Sequence, residues 1–113
     1  MKYVLLIREV DRRVYEALRK GEKSVETRAM SDEYGEIKVG DWLVFNCGKD
    51  SLEKEVGEVK HFKSLRELLD NYGFEEIMPF VESEEEALKV WESFPGYKER
   101  IAKGGMLAFE LKA

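Results

Sequence analysis

The sequence predicts a mixed α+β fold: a small clustered sheet able to close into a barrel, flanked by helices. Three observations carry this. Strand-like segments follow one another instead of alternating with helices, which disfavours a doubly wound parallel sheet. Two segments in the C-terminal half open with serine capping boxes, which mark helix starts. The first and last strand candidates, residues 3–7 and 106–111, are too apolar to stand at an open edge, so both should lie in one sheet and help to close it.

Taken in order, residues 3–7 are a short apolar run rich in strand formers, read as a buried first strand. Asp11 can cap a helix running to Lys20, with Val14, Ala17 and Leu18 on its apolar face and Arg19 and Lys20 complementing the dipole in its last turn. Gly21 ends it. A second strand follows at residues 24–28. Residues 29–40 read as a loop, with a turn at Tyr34-Gly35. Gly40-Asp41 then opens Trp42-Leu43-Val44-Phe45-Asn46-Cys47, the strongest strand signal in the chain. After a turn at residues 48–51, residues 55–62 form another strand, in which Gly57 suggests a bulge. Ser64 with Glu67 caps a helix carrying Leu65, Leu68, Leu69 and Tyr72, and Gly73 stops it. Ser83 with Glu86 caps another, with Ala87, Leu88, Trp91 and Phe94 as its buried stripe. Between these helices residues 74–82 read as irregular around Pro79, and Gly104-Gly105 breaks the segment before the closing strand.

The length of 113 residues suits one domain, spanning 1–113, with enough chain to bury a core. Hydrophobic content of 43% argues for a folded globule rather than disorder. No apolar run approaches the roughly 20 residues of a membrane span, and the N-terminal run is too short for a secretory signal. A single cysteine excludes an intrachain disulfide and a multi-cysteine metal site. The expectation is a cytoplasmic monomer, and the Glu/Lys/Arg richness suits a thermophile. Charge is uneven. Residues 1–30 hold eight Lys/Arg against five Asp/Glu, while residues 31–113 hold eleven against nineteen, which together give the net −5. An acidic chain is a poor non-specific nucleic-acid binder, so any such contact should be local and use the basic first third.

The densest concentration of ionisable groups at a structural junction is Gly21-Glu22-Lys23-Ser24-Val25-Glu26-Thr27-Arg28. On a strand, alternation puts Glu26 and Arg28 on one face, about 7 Å apart at the backbone and close enough to pair, with Val25 and Thr27 on the other. Lys23 has the opposite parity and joins them only from the turn before the strand, or by reaching round on its long stem. Arg28 offers a planar fork for a phosphate or a base edge, Lys23 a point charge, and Glu26 an acceptor that orients them. The plain alternative is a solvated charged strand.

Elsewhere the chemistry is thinner. His61 is the only histidine and reads as a strand residue; Cys47 reads as a small buried hydrophobe. The acidic run at residues 82–86 reads as the first turn of a capped helix, without the spacing of a metal site. Trp42, Tyr34 and Tyr97 offer faces on which a base could stack; opening a strand next to a polar turn, Trp42 stands at a cleft rim or, on the plainer reading, is simply core. Trp91 reads as core. No cofactor or metal is expected.

Read as Gly-x-Lys-x-x-Glu-x-Arg, with Val39-Gly40-Asp41 leading a strand twelve residues later, the chain resembles the ASCH domain family of the PUA-like group over essentially its whole length. The resemblance implies a partly open, PUA-like mixed β-barrel of about five to six strands with flanking helices, and a cleft floored by the motif. It implies binding of RNA or a nucleotide-like ligand through Gly21, Lys23, Glu26 and Arg28, with Asp41 as a structural turn residue and Trp42 as a further contact. A subset of the family resembles amidohydrolases of acylated cytidine nucleosides that use a lysine, a threonine nucleophile and a glutamate. That alternative would make Lys23 and Glu26 catalytic, but Glu26 stands where the threonine should be, so the protein is expected to be a binder rather than an enzyme. A third reading is a ligand-free adaptor, with the octet as an internal salt-bridge network.

Overall fold

A computed structural model describes residues 1–113. Five strands form one mixed sheet in the order β1 (Lys2–Leu6), β3 (Trp42–Cys47), β4 (Asp50–Phe62), β5 (Met106–Leu111), β2 (Val25–Ala29). Helix α1 (Arg12–Arg19) links β1 to β2, and α2 (Leu65–Asn71), α3 (Phe74–Ile77), α4 (Glu84–Ser93) and α5 (Tyr97–Gly104) lie between β4 and β5. The class is α+β, as the clustered strands imply. No helix is long and apolar enough to cross a membrane.

The strand β4 is 13 residues long and organises the sheet. Its first half pairs antiparallel with β3 through the two-residue turn Gly48-Lys49, where Gly48 takes the positive φ that a tight hairpin demands. Its second half pairs with β5, and a register shift between Val56 and Glu58 marks the bulge foreseen at Gly57. The single strand expected at residues 55–62 is thus the far half of a longer one, with Asp50 and Ser51 already in the ladder.

The sheet curls but does not close, contrary to the expected barrel. β1 and β5 do share it, yet β1 pairs only with β3, in parallel, and β2 only with β5. The expectation failed because β1 is not uniformly buried. Leu5 and Ile7 point into the core, whereas Val4 and Leu6 face outward at 53% and 71% exposure, so an apolar run stands at an edge after all. β5 is the strand whose continuous apolar run does mean burial on both faces: Leu107 and Phe109 turn to one side, Met106 and Ala108 to the other.

Those two faces define two cores. One fills the curl of the sheet, where Leu5, Leu43, Phe45 and Phe109 meet Tyr15 and Leu18 of α1. The other joins the outer face of β2, β4 and β5 to the helices through Leu68, Ile77, Ala87 and Trp91. Ser64 and Ser83 accept from the N–H groups of Glu67 and Glu86, as the capping boxes require. Asp11 makes no such cap; its carboxylate takes Arg8 Nε at 2.8 Å instead, and α1 begins at Arg12. Helices α3 and α5 fall in stretches whose sequence lacks a clear apolar period. α5 buries no residue fully, so its pattern is too weak to read.

A candidate anion-binding cleft between the two edge strands

The cleft lies where the free edges of β1 and β2 face each other. Parity fixes which groups point into it. Leu111 N–H donates to Ser24 C=O and Met30 N–H to Gly105 C=O, so the even-numbered residues of β2 serve β5. The odd-numbered residues 25, 27 and 29 therefore turn their backbone groups to the open edge. The same reasoning from Ile7 N–H on Asn46 C=O leaves the Leu6 carbonyl on the free edge of β1.

Side chains of the octet occupy these exposed backbone groups. Gly21, at φ +77°, turns the chain sharply after α1, where the N–H groups of Glu22 and Lys23 both return to Ala17 C=O. Lys23 thus enters from the turn before the strand, and its side chain runs inward to 4% exposure. Its Nζ donates to Val25 C=O at 2.8 Å and Ile77 C=O at 2.7 Å, and lies 3.3 Å from Glu26 Oε1. Three acceptors account for all three ammonium protons. Glu26, also 4% exposed, accepts Thr27 N–H on Oε1 at 2.9 Å and the Arg28 Nε and Nη2 hydrogens on Oε2 at 3.3 and 3.1 Å. Arg28 Nη2 also reaches Leu6 C=O on the opposite edge at 3.3 Å. One guanidinium therefore spans the gap that backbone pairing leaves open.

The electrostatics follow from burial. Desolvation alone would raise the Glu26 carboxyl, but Lys23, Arg28 and the Thr27 N–H together hold it below its ordinary value. Burial pulls the Lys23 ammonium below its usual value, with Glu26 opposing. Burial also works against the Arg28 charge, yet Glu26 outweighs it and raises the guanidinium further. The triad holds two cations and one anion, a net charge of +1 in a chain of net −5. Its unspent donors are the two hydrogens of Arg28 Nη1, the only guanidinium nitrogen here without a protein partner.

Around this floor is a cleft of about 180 Å³ with largely apolar walls, closed by Phe80, Trp91, Phe94 and Tyr97 from the helical half. Trp91 is core, as its stripe implies, but its indole N–H also donates to Thr27 Oγ1 at 3.1 Å, which fixes the hydroxyl at the cleft. Burial, opposed by Arg28, raises the Tyr97 phenol, which therefore stays neutral at ordinary pH.

Of the residues singled out from sequence, Lys23, Glu26 and Arg28 converge and Gly21 shapes the turn that delivers them. Trp42 does not join them. It starts β3 opposite Lys2 and Glu55, 39% exposed, and Lys2 and Leu6 stand at opposite ends of β1. Tyr97 lines the cleft, while the Tyr34 ring lies 5.9 Å from the Arg28 guanidinium carbon. Asp41 is the expected turn residue, accepting Lys38 N–H at 2.8 Å. Sequence reasoning missed Thr27, because at an edge strand both faces reach the same cleft. It also missed Arg8, which lines the mouth and stacks over Phe94 with its carbon 5.7 Å from the ring centre.

Fold and site together define a small α+β protein with an open curled sheet and a positively charged cleft between its edges. No protein-family model matches the chain, and no curated protein does. Solved structures do. The crystal structure of the hypothetical protein PH0355 is 32% identical, with a TM-score of 0.83 over 99% of this chain and 98% of that one. Protein PF0455 from Pyrococcus furiosus, solved by NMR, is 29% identical with a TM-score of 0.76, over 99% and 96% of the two chains. The chain belongs to the family of the hypothetical protein PH0355.

Proposed function

We propose that this is an ASCH-type, PUA-like binding protein that holds RNA or a nucleotide-like ligand in the cleft between β1 and β2, with Arg28 as its main anion contact. The observation that carries the proposal is the division of labour within the triad. Lys23 and Glu26 spend every polar hydrogen and lone pair they have on the protein, whereas Arg28 keeps Nη1 free beside apolar walls. A buried fork held in place by a carboxylate is the arrangement that recognises a phosphate or a base edge. The same spent valences count against hydrolysis. The Lys23 ammonium is committed to two backbone carbonyls and Glu26, and both Glu26 oxygens are occupied, which leaves neither poised for a nucleophilic or general-base role. The reading takes the protein as a cytoplasmic monomer.

The test is a titration of nucleosides and short RNAs followed by amide NMR shifts. Arg28→Ala should weaken binding by about 1.5–3 kcal/mol, the worth of a charge-assisted hydrogen bond, while Lys63→Ala, placed where β4 ends, should change little. Affinity should fall only shallowly with salt, since few phosphates are neutralised. Cleft shifts accompanied by steady turnover of acylated cytidine would replace this reading with the amidohydrolase. An absence of shifts would leave the adaptor.

A further inference from the structure

The cleft is too small for the ligand just proposed to enter whole. Its free space of about 180 Å³ is close to the roughly 150 Å³ of a cavity that holds one benzene ring and well below the roughly 300–1,000 Å³ of pockets that engulf a drug-sized molecule. That volume matches one planar ring, with Phe80, Phe94 and Arg28 among the groups that line it. A sugar and a phosphate attached to that ring must stay outside, at the mouth.

Two arginines rest on the cleft's aromatic walls: Arg8 lines the cleft, and Arg13 lies over Phe80 just outside its lining. Arg8 stacks over Phe94 and spends only its Nε, on Asp11. Arg13, on the exposed side of α1, lies with its guanidinium carbon 4.5 Å from the centre of the Phe80 ring. Arg12, Arg19 and Arg66 are all tied to carboxylates, whereas Arg13 has no carboxylate within ion-pairing distance. A guanidinium held flat on an aromatic face loses little freedom when an anion docks, and its fork matches phosphate oxygens. Counting the triad, Arg8, Arg13 and Asp11, the cleft and its rim carry four cations against two carboxylates.

From this we infer, building on the reading above, that the recognised unit is a single nucleotide monophosphate. Its base enters the cleft with an edge against Arg28 Nη1 and the Thr27 hydroxyl, its sugar spans the mouth, and its phosphate is gripped by Arg8 and Arg13. Within this unit Arg28 reads the base edge, and the anion contact passes to Arg8 and Arg13. Two sources supply that unit, a free mononucleotide and one unstacked nucleotide of a single strand. A base held in a duplex does not present it.

The experiment titrates labelled protein with CMP, UMP, cytidine, uridine and inorganic phosphate, then displaces bound CMP with a single-stranded RNA pentamer and with an RNA duplex. The monophosphates should bind about tenfold or more tighter than the nucleosides, as expected of charge-assisted contacts. Arg13→Gln, and Arg8→Gln in a second variant, should remove most of that gap while leaving nucleoside affinity intact; Lys63→Ala should leave both. Arg13 makes no hydrogen bond within the protein, so its variant keeps the fold. The pentamer should displace CMP and the duplex should not. Equal binding of nucleoside and monophosphate at the cleft, a gap that survives Arg13→Gln, or displacement by the duplex overturns the inference but leaves the broader binding reading standing. No cleft shift with any probe removes both.

Discussion

Two three-charge clusters in this molecule are built from the same parts and do different work. In the cleft, Lys23, Glu26 and Arg28 are buried. Beside the β3–β4 turn, Arg12 bonds Glu9, Asp50 Oδ2 at 2.8 Å and Cys47 C=O at 3.1 Å, with the two carboxylate side chains 63% and 57% exposed. The surface cluster is one cation paired with two anions; the buried one is one anion held by two cations. Only the second carries a positive surplus, and only there does the free donor belong to a buried guanidinium. Burial also changes what each is worth. Exposed pairs are screened by water and salt and contribute little, whereas removing one member of a buried set strands the others without solvent.

This contrast can be broken most sharply at Glu26. Glu26→Ala leaves two cations facing each other in the interior and should destabilise the fold by about 3–5 kcal/mol, measured by urea unfolding. A loss no larger than that of a surface variant would mean water already reaches the triad. Lys23→Met comes next. It keeps the Glu26–Arg28 pair but strands the buried Val25 and Ile77 carbonyls, and should cost about 2–3 kcal/mol, with hydrogen exchange rising first in α3. A pH series sharpens the comparison further. Because the folded state holds the Glu26 carboxyl below its ordinary value, its contribution is complete above the ordinary carboxylate range and is lost as pH falls toward the folded pKa. That loss should persist in high salt and vanish from the profile of Glu26→Gln. The smallest effect belongs to Arg12→Ala, which should barely move the melting temperature and should leave ligand binding unchanged. A large shift there would erase the distinction between the clusters.

Much of this site was legible in the sequence because strand parity is a strong rule. Glu26 and Arg28 had to share a face, and a glycine before them made room for Lys23 to enter from a turn. What the octet could not reveal is who would be spent and who left over, since the two carbonyls that consume Lys23 come from Val25 and from Ile77 in the far half of the chain. The fold read similarly. Capping boxes, the bulge at Gly57 and the α+β class are local signals and survived. Barrel closure rested on the apolarity of β1, and a hydrophobic run does not say which of its residues face outward. Val4 and Leu6 do. Trp42 misled for a related reason: standing beside a polar turn placed it at a rim, but at the other end of β1.

The pairing of β2 with β5 sets an order of events. Val25 faces Glu110 and Ala29 faces Met106, and β2 has no other strand partner. As a ribosome releases this chain, α1 and the octet emerge early, and then wait. β1, β3 and the hairpin into β4 are complete while Glu26 still has no Phe109 beside it and Lys23 no Ile77 to hold. The charged floor is written near the beginning of the message and assembled only when the last strand arrives, so a chain stalled before Met106 would carry the whole octet and no cleft.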